Sequence, residues 1–153
     1  MDTHPTVLRM ASAIDAVAIA ELAVQLGYPV TAIEIAKRLE LLPGNTEAVV
    51  VATIADEVRA WMQVGVALSI ESAPFVEIRG LVVDAKLRST GVGTKLVAFA
   101  QEWALTKGVA SLRVRSNTVR LATHKFYQKR GFTLSKEQKV FSLRLPGSAE
   151  DVS

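Results

Sequence analysis

One stretch of the sequence, residues 82–96, limits the fold more than any other. An apolar run ends at Val83, a short basic turn with two glycines follows, and a helical pattern of apolar residues begins at Val92. A glycine turn that opens a helix leaves backbone N–H groups without intrahelical acceptors, and the helix dipole adds partial positive charge there. Such a turn binds anions, phosphate in particular. The stretch therefore predicts a strand, a phosphate-binding turn and a helix in succession.

Two nucleotide-binding motifs are excluded by single positions in this stretch. The dinucleotide fingerprint begins at Gly91 and Gly93, but Leu96 stands where its third glycine is required. The mononucleotide P-loop needs a glycine followed directly by lysine, whereas Gly93 is followed by Thr94, and no glycine precedes Gly93 at the required spacing. A loop that only turns a strand into a helix stays open as the alternative.

Composition narrows the class of protein. The chain has 153 residues, which is long enough for one well-packed domain and too short for two ordinary ones. Half of these residues are hydrophobic, which is enough to form the core of such a domain. The absence of cysteine excludes disulfides, thiolate metal sites and a cysteine acyl-enzyme, and with only two histidines no metal site is predicted. We find no secretory signal and no apolar run of membrane-spanning length, so a cytoplasmic protein without a membrane partner is expected.

Charge is distributed unevenly along the chain. Residues 1–85 contain five Lys/Arg and eleven Asp/Glu, whereas residues 86–144 contain thirteen and two. A basic half that starts at the glycine loop predicts a polyanionic ligand, either nucleic acid or a multiply phosphorylated cofactor. The acidic half would suit a cationic partner such as an amine. A solvated surface of mixed charge remains the alternative.

The order of predicted elements is β-α-α-β-β-β-α-β-α-β-β. This order favours a mixed α/β (α+β) fold, with a central sheet of about seven strands flanked by about four helices. Gly80, in the middle of its strand, indicates a bulge or bend. One domain over residues 1–145 is expected, with residues 146–153 as a flexible tail. The predicted strands cover residues 6–10, 48–54, 58–68, 75–83, 111–115, 132–134 and 140–145.

Two segments carry a resemblance to a known family. Residues 88–93, Arg-Ser-Thr-Gly-Val-Gly, are similar to the Arg/Gln-x-x-Gly-x-Gly/Ala pyrophosphate loop of the GNAT superfamily, the acetyl-CoA-dependent N-acyltransferases. Residues 117–132 are similar to the Asn-x-x-x-x-Ala-x-x-x-Phe-Tyr-x-x-x-Gly-Phe segment that follows that loop in the family. The two segments come in the family's order, and the motifs together cover roughly residues 48–145. Ala85 departs from the pattern, since a proline often stands there.

The resemblance implies a cofactor and a binding site for it. Acetyl-CoA would be the cosubstrate, and no metal is required. The backbone of the strand before the loop would pair with the pantetheine arm, the loop would hold the pyrophosphate, and residues of the second segment would contact the arm. The implied cofactor-binding residues are Leu81, Val82, Val83, Arg88, Ser89, Thr90, Gly91, Val92, Gly93, Thr94, Asn117 and Tyr127. For Asn117 a plain helix N-cap is the alternative, and the two roles are compatible.

The chemistry of acetyl transfer predicts two catalytic side chains. The attacking amine must be neutral, and the departing thiolate must receive a proton. Glu77 is the only carboxylate in its strand and is the expected base, unless it is a solvent-facing residue paired with lysine or arginine. Tyr127 is the expected proton donor, and its alternative is a core aromatic beside Phe126.

The expected function is direct transfer of an acetyl group to a primary amine within a ternary complex. The acceptor would be a small-molecule or peptide amine, and the candidate contacts to it are Tyr28, Trp61 and Gln63. Two other classes stay open: a non-catalytic acyl-CoA-binding regulatory module and a nucleic-acid-binding domain. Against the second, aromatic residues in the basic half fall at core-like spacings. Many relatives of this fold pair as dimers, which leaves a homodimer open.

Overall fold

A computed structural model describes residues 4–116 and 120–147. Within these residues the chain forms five β-strands and four α-helices, in two compact units, Met1–Arg115 and Ser116–Ser153. The strands are β1 Thr6–Met10, β2 Glu47–Ile54, β3 Glu57–Ser69, β4 Ser72–Val83 and β5 Leu112–Val114. The helices are α1 Ala16–Gln25, α2 Ala32–Leu41, α3 Val92–Thr106 and α4 Leu121–Lys129. None of these helices has both the length and the apolar character needed to cross a membrane.

The first unit is built on one mixed sheet, with the strands in the order β1-β2-β3-β4-β5. The first three pairs are antiparallel, and β4 pairs with β5 in parallel. Helix α3 packs on β2, β3, β4 and β5, and α1 packs on β3 and β4. A mixed sheet covered by helices is the α+β fold that the element order predicts, and that prediction is confirmed.

Apolar strand and helix residues form the core of this unit. Val50 of β2 is paired with Met62 of β3, and both side chains are fully buried. Leu96 of α3 is also fully buried, and Ile19 of α1 is only 2% exposed. Each such side chain contributes about 2 kcal/mol by leaving water.

The predicted irregularity of β4 is a bulge beside Gly80. The register passes from Gln63 opposite Gly80 to Val64 opposite Ile78, which leaves Arg79 as the extra residue. A Cβ on Gly80 would lie 2.9 Å from Cη2 of Trp61, so a side chain there would force the indole to shift. The bulge re-aims the side chains of β4 next to Glu77.

The strand count was predicted wrongly, because residues 132–134 and 140–145 do not form strands. Alternation of apolar residues suggested them, but a strand also needs a partner for its backbone groups, and none pairs with these segments in the described part of the chain. Apart from the half-buried Phe132, their apolar side chains remain 63–89% exposed, so burial does not stabilise an extended conformation either. These side chains are Leu134, Val140, Phe141, Leu143 and Leu145.

The second unit contains α4, which begins later than the motif suggested. Its N-cap is Arg120, whose side chain makes no capping hydrogen bond. The proposed cap and cofactor contact Asn117 lies outside the described residues. Within this unit the helix ends at Lys129, and Gly131, two residues further on, has φ +92°.

Candidate active site

The turn after β4 is fixed by its first residue, Asp84. One carboxylate oxygen accepts the Lys86 N–H at 3.0 Å, and the other pairs with Nε of Arg59 at 3.1 Å. The Lys86 N–H and the Arg59 guanidinium together lower the pKa of Asp84, the backbone donor contributing most. The Ala85 N–H donates a further hydrogen bond to Oε1 of Gln25 in α1 at 3.0 Å. The start of the predicted phosphate loop is therefore held by two other elements, β3 through Arg59 and α1 through Gln25.

The loop itself ends in a helix start that has no side-chain cap. Gly91 is the N-cap residue of α3 with φ +94°, a left-handed conformation that a side chain would strain. The first intrahelical bond at this end runs from the Lys95 N–H to the Gly91 carbonyl at 3.1 Å. By helix geometry the N–H groups of Val92 and Gly93 have no intrahelical acceptor. Arg88, Ser89, Thr90 and Gly91 are all exposed, so an anion can approach this end of the helix.

The strand before the loop has one open edge. β4 pairs with β5 only over Val76–Ile78, so no described strand covers the last residues of β4 on that side. The Asp84 N–H donates to the Arg59 carbonyl at 2.9 Å, so the backbone groups of Asp84 point toward β3. Because every second residue of an antiparallel strand directs its backbone groups to the partner, Val82 faces β3, and Leu81 and Val83 face the open edge. Backbone donors and acceptors are thus available there.

Glu77, the predicted base, is buried and fully paired. Its side chain is 11% exposed. Oε1 accepts from Nη1 of Arg79 at 3.0 Å, and Oε2 is bonded to Nε of Arg115 at 3.0 Å. The alternative of an arginine-paired residue is therefore partly right, but Glu77 does not face solvent. Its role as a base stays a prediction.

Three further residues belong to this cluster and were not singled out in the sequence: Arg79, Glu47 and Gly65. Arg79 also bonds Glu47 through Nε at 2.9 Å and through Nη2 at 3.2 Å. The Glu47 carboxylate, ahead of that of Glu77, raises the pKa of Arg79. Glu47 in turn accepts from Nε2 of Gln63 at 3.1 Å, and Gly65 lies between the strands that carry the two carboxylates. The one local signal was the i, i+2 spacing of Glu77 and Arg79, which places both on one face of a regular strand.

Tyr127, the predicted proton donor, lies in the second unit. It is 8% exposed and meets Phe126 and Phe132 edge-to-face, with ring centroids 5.1 and 5.4 Å away. Burial raises the pKa of Tyr127 to about 12, although the charge of Arg120 opposes the shift. The phenol therefore keeps its proton at neutral pH. The surroundings match the core-aromatic alternative, and its role as an acid stays a prediction.

The predicted acceptor contacts differ in their surroundings. Trp61 and Gln63 lie two residues apart on β3, and Gln63 belongs to the carboxylate cluster. The indole Nε1 of Trp61 is buried and has no hydrogen-bond partner among the residues described. Tyr28 follows α1 and is 52% exposed.

A polar cavity of about 350 Å³ lies beside the start of the loop. It is lined by α1, by the first residues of β3 and by the turn after β4. The charged residues around it are Glu21, Glu57, Arg59, Asp84 and Lys86. Over residues 4–116 and 120–147, no three histidine, aspartate or glutamate side chains are grouped so that they could hold a metal ion.

The chain was compared with curated protein sequences and with solved structures. No curated protein sequence matches the chain. The solved structures that it resembles include the aminoglycoside N-acetyltransferase AAC(6')-Iy in complex with CoA, at 18% identity and TM-score 0.81, covering 93% of this chain and 97% of that one. An aminoglycoside acetyltransferase from an uncultured soil metagenomic sample, in complex with sisomicin, is 19% identical with TM-score 0.73, and the match covers 92% and 96%. A transcriptional regulator from Bacillus halodurans is 20% identical with TM-score 0.77, and the match covers 91% and 100%.

These likenesses establish the fold, and the family follows from the sequence itself. Residues 21–132 match the model of the acetyltransferase (GNAT) family, which is well over half of the chain. The matched range contains the glycine loop, β4 with its open edge, and the segment up to Phe132. The chain therefore belongs to the acetyltransferase (GNAT) family, and its enzyme class is that of an acetyl-CoA-dependent N-acetyltransferase.

Proposed function

We propose that this enzyme moves an acetyl group from acetyl-CoA to a primary amine by direct attack in a ternary complex. One observation carries the proposal: the open edge of β4 leads, through the turn of residues 84–91, into a helix start whose N-cap is the left-handed Gly91. A ligand with an extended amide-containing arm and a diphosphate at its end fits that succession. Coenzyme A has this form.

The cofactor would use backbone groups more than side chains. The pantetheine amides would pair with Leu81 and Val83 as an added strand does, since the backbone groups of both face the open edge. The diphosphate would accept from the N–H groups of Val92 and Gly93, with Arg88 supplying a full positive charge. Asn117 and Tyr127 remain proposed contacts of the second motif. The other loop residues, Ser89, Thr90 and Thr94, complete the proposed set.

The transfer itself needs one proton taken and one proton given. The amine nitrogen attacks the thioester carbonyl, the C–N bond forms, and the C–S bond breaks. Glu77 would take the amine proton, directly or through a water, once Oε2 is free of Arg115. Tyr127 would protonate the departing thiolate, and its raised pKa of about 12 keeps it in the protonated form that this role requires.

The acceptor would be a small cationic amine, with an aminoglycoside-like sugar as one candidate. Two of the similar structures are aminoglycoside acetyltransferases, and one of them holds sisomicin. Residues 1–85, with eleven acidic and five basic side chains, favour a cationic molecule electrostatically. Tyr28, Trp61 and Gln63 remain its proposed contacts. A cytoplasmic location and a homodimer also remain proposals.

Two binding and activity measurements test this function. Calorimetry with CoA should show one site per chain, and release of free thiol from acetyl-CoA should depend on an added amine. The amine panel should include an aminoglycoside, a polyamine and a lysine peptide. Binding of CoA without thiol release for any amine would favour the non-catalytic regulatory module, a class that the resemblance to a transcriptional regulator keeps in view. Binding of oligonucleotides in place of CoA would favour the nucleic-acid-binding alternative.

A further inference from the structure

Two carboxylates of the first unit stand in one row across the sheet. Glu47 of β2 is opposite Gly65 of β3, and Gly65 is opposite Glu77 of β4. Neighbouring strands lie about 4.8 Å apart, so these two residues are about 10 Å apart at the backbone. The middle position of the row has no side chain. The guanidinium of Arg79 bonds the carboxylates on both sides of it.

A side chain at that middle position would displace the Glu47–Arg79 pair. A Cβ on Gly65 would overlap the Glu47 carboxylate and Nε of Arg79. Backbone conformation does not explain the glycine, since its φ is not in the left-handed region. The Glu47–Arg79 pair therefore occupies the space that a side chain at position 65 would need.

The two oxygens of Glu77 have unequal partners. Oε1 is bonded by Arg79, which is itself held by two bonds to Glu47 and is 32% exposed. Oε2 is bonded by Arg115 through Nε alone, and that side chain is 71% exposed. Because Arg115 is mostly exposed, water screens its contact with Oε2 more than the contact of Arg79 with Oε1. Oε2 is therefore the oxygen that an incoming amine or water can reach.

We propose that Arg79, seated over Gly65 and anchored on Glu47, is a positioning residue that holds Glu77 by Oε1 and leaves Oε2 to meet the acceptor. The proposal rests on the proposed function, in which Glu77 takes the proton of the amine. Arginine suits this seat because its planar fork bonds two carboxylates at once, whereas a lysine ammonium is a single point charge. Misplacement of a reacting group by about 1 Å costs on the order of a hundredfold in rate.

The decisive variant is Gly65→Ala, which keeps every charged residue and displaces the Glu47–Arg79 pair that holds Glu77. We expect kcat to fall by about tenfold or more, with the dissociation constant of CoA unchanged within about twofold. Gly44→Ala is the matched control, because a Cβ there meets nothing within 4 Å. If Gly65→Ala does not fold, Arg79→Gln gives the same reading. Its control is Arg9→Gln, which removes an arginine from a different buried carboxylate, that of Asp15.

A second readout does not depend on acetyl transfer. Carbodiimide coupling of an amine to Glu77, followed by mass spectrometry of the peptide, measures how firmly that carboxylate is held. We expect several-fold faster labelling of Glu77 in Arg79→Gln than in the parent or in Arg9→Gln, and an intermediate rate in Arg79→Lys. Arg115→Gln should lower kcat less than Arg79→Gln does, although both arginines bond Glu77 at 3.0 Å.

The possible outcomes distinguish a failure of the proposed role of Arg79 from a failure of the proposed acetyl transfer. Equal kcat in Arg79→Gln and Arg9→Gln, with equal labelling of Glu77, overturns the role of Arg79. A parent protein that acetylates no amine overturns the proposed function, and the labelling rates then still decide whether Arg79 holds Glu77. A fall in kcat accompanied by an equal loss of CoA affinity would show a general structural effect and would also overturn the proposal.

Discussion

Arg9 holds the carboxylate of Asp15 with two hydrogen bonds of 2.8 Å, one to each oxygen. The Ser12 N–H adds a third bond at 2.9 Å, and the Asp15 side chain is only 4% exposed. The Arg9 hydrogen bonds lower the pKa of Asp15 most, and the Ser12 N–H adds to the effect against the cost of burial. This pair ties β1 to the start of α1.

A pH-dependent part of the stability follows from that pair. The pKa of Asp15 is lower in the folded state than in the unfolded state, where it is about 3.9. The contribution of Asp15 to the free energy of unfolding is therefore complete above the unfolded-state pKa and is lost as pH falls through the folded-state pKa. Asp15→Asn should lower the free energy of unfolding by about 1–3 kcal/mol at neutral pH, toward the lower end because Arg9 is 42% exposed and screened by water. Urea unfolding at several pH values measures this. The difference from the parent should shrink below about pH 4. Asp56→Asn, in an exposed turn, is the control, and a difference that stays constant with pH would contradict the assignment.

Gly91 tests the phosphate site. Gly91→Glu places a negative charge at the helix start and a side chain at φ +94°, so CoA affinity should fall by more than about tenfold, equivalent to about 1.4 kcal/mol. Gly108→Glu is a matched control, because Gly108 follows the other end of α3, has φ +70° and also has open space around it. Calorimetry with CoA compares the two variants. Equal affinities would show that the diphosphate binds elsewhere.

Substitution of Glu77 tests its proposed role as the base that takes the proton of the amine. Glu77→Gln keeps the size of the side chain but cannot accept a proton, so kcat should fall by about a hundredfold and the rise of rate with pH should flatten. The measurement is the pH profile of amine-dependent thiol release. Glu71→Gln is the control, since Glu71 is exposed in the turn between β3 and β4. An unaltered profile in Glu77→Gln would assign the proton to water or to another group.

Tyr127 tests the acid. Tyr127→Phe should lower kcat by about a hundredfold and leave the dissociation constant of CoA nearly unchanged. Because burial raises its pKa to about 12, the folded protein should resist forming this tyrosinate, and the stability that the neutral phenol contributes is lost as pH rises from about 10 through 12. Ultraviolet titration of parent and variant isolates the group, since the chain has only two tyrosines. Equal turnover would leave Tyr127 with a packing role alone.

Local signals in the sequence predicted much of the fold. Thr31 and Glu34 stand three residues apart, which is the spacing of a capping box at a helix start, and the Glu34 N–H donates to Oγ1 of Thr31 at 3.2 Å at the start of α2. The β-branched run of β2 and the bulge beside Gly80 were readable for similar reasons. The hairpin of β3 and β4 was predicted too short: residues 69–74 looked like a loop, yet β3 reaches Ser69 and β4 begins at Ser72.

The cluster around Glu77 was not readable, because strand register creates it. Glu47 and Glu77 are thirty residues apart in sequence, and only the pairing of both with Gly65 brings them into one row. No spacing rule along the chain reports such a row. The exposure of residues 133–145 could not be predicted for the same reason, since alternation predicts an extended segment and cannot supply its partner strand.

The most direct test of the central claim is a crystal structure of the protein with CoA. The diphosphate should lie within hydrogen-bond distance of the Val92 and Gly93 N–H groups, and the pantetheine arm should run along the open edge of β4 at Leu81 and Val83. CoA bound at any other place, with this edge and the start of α3 empty, would contradict the claim.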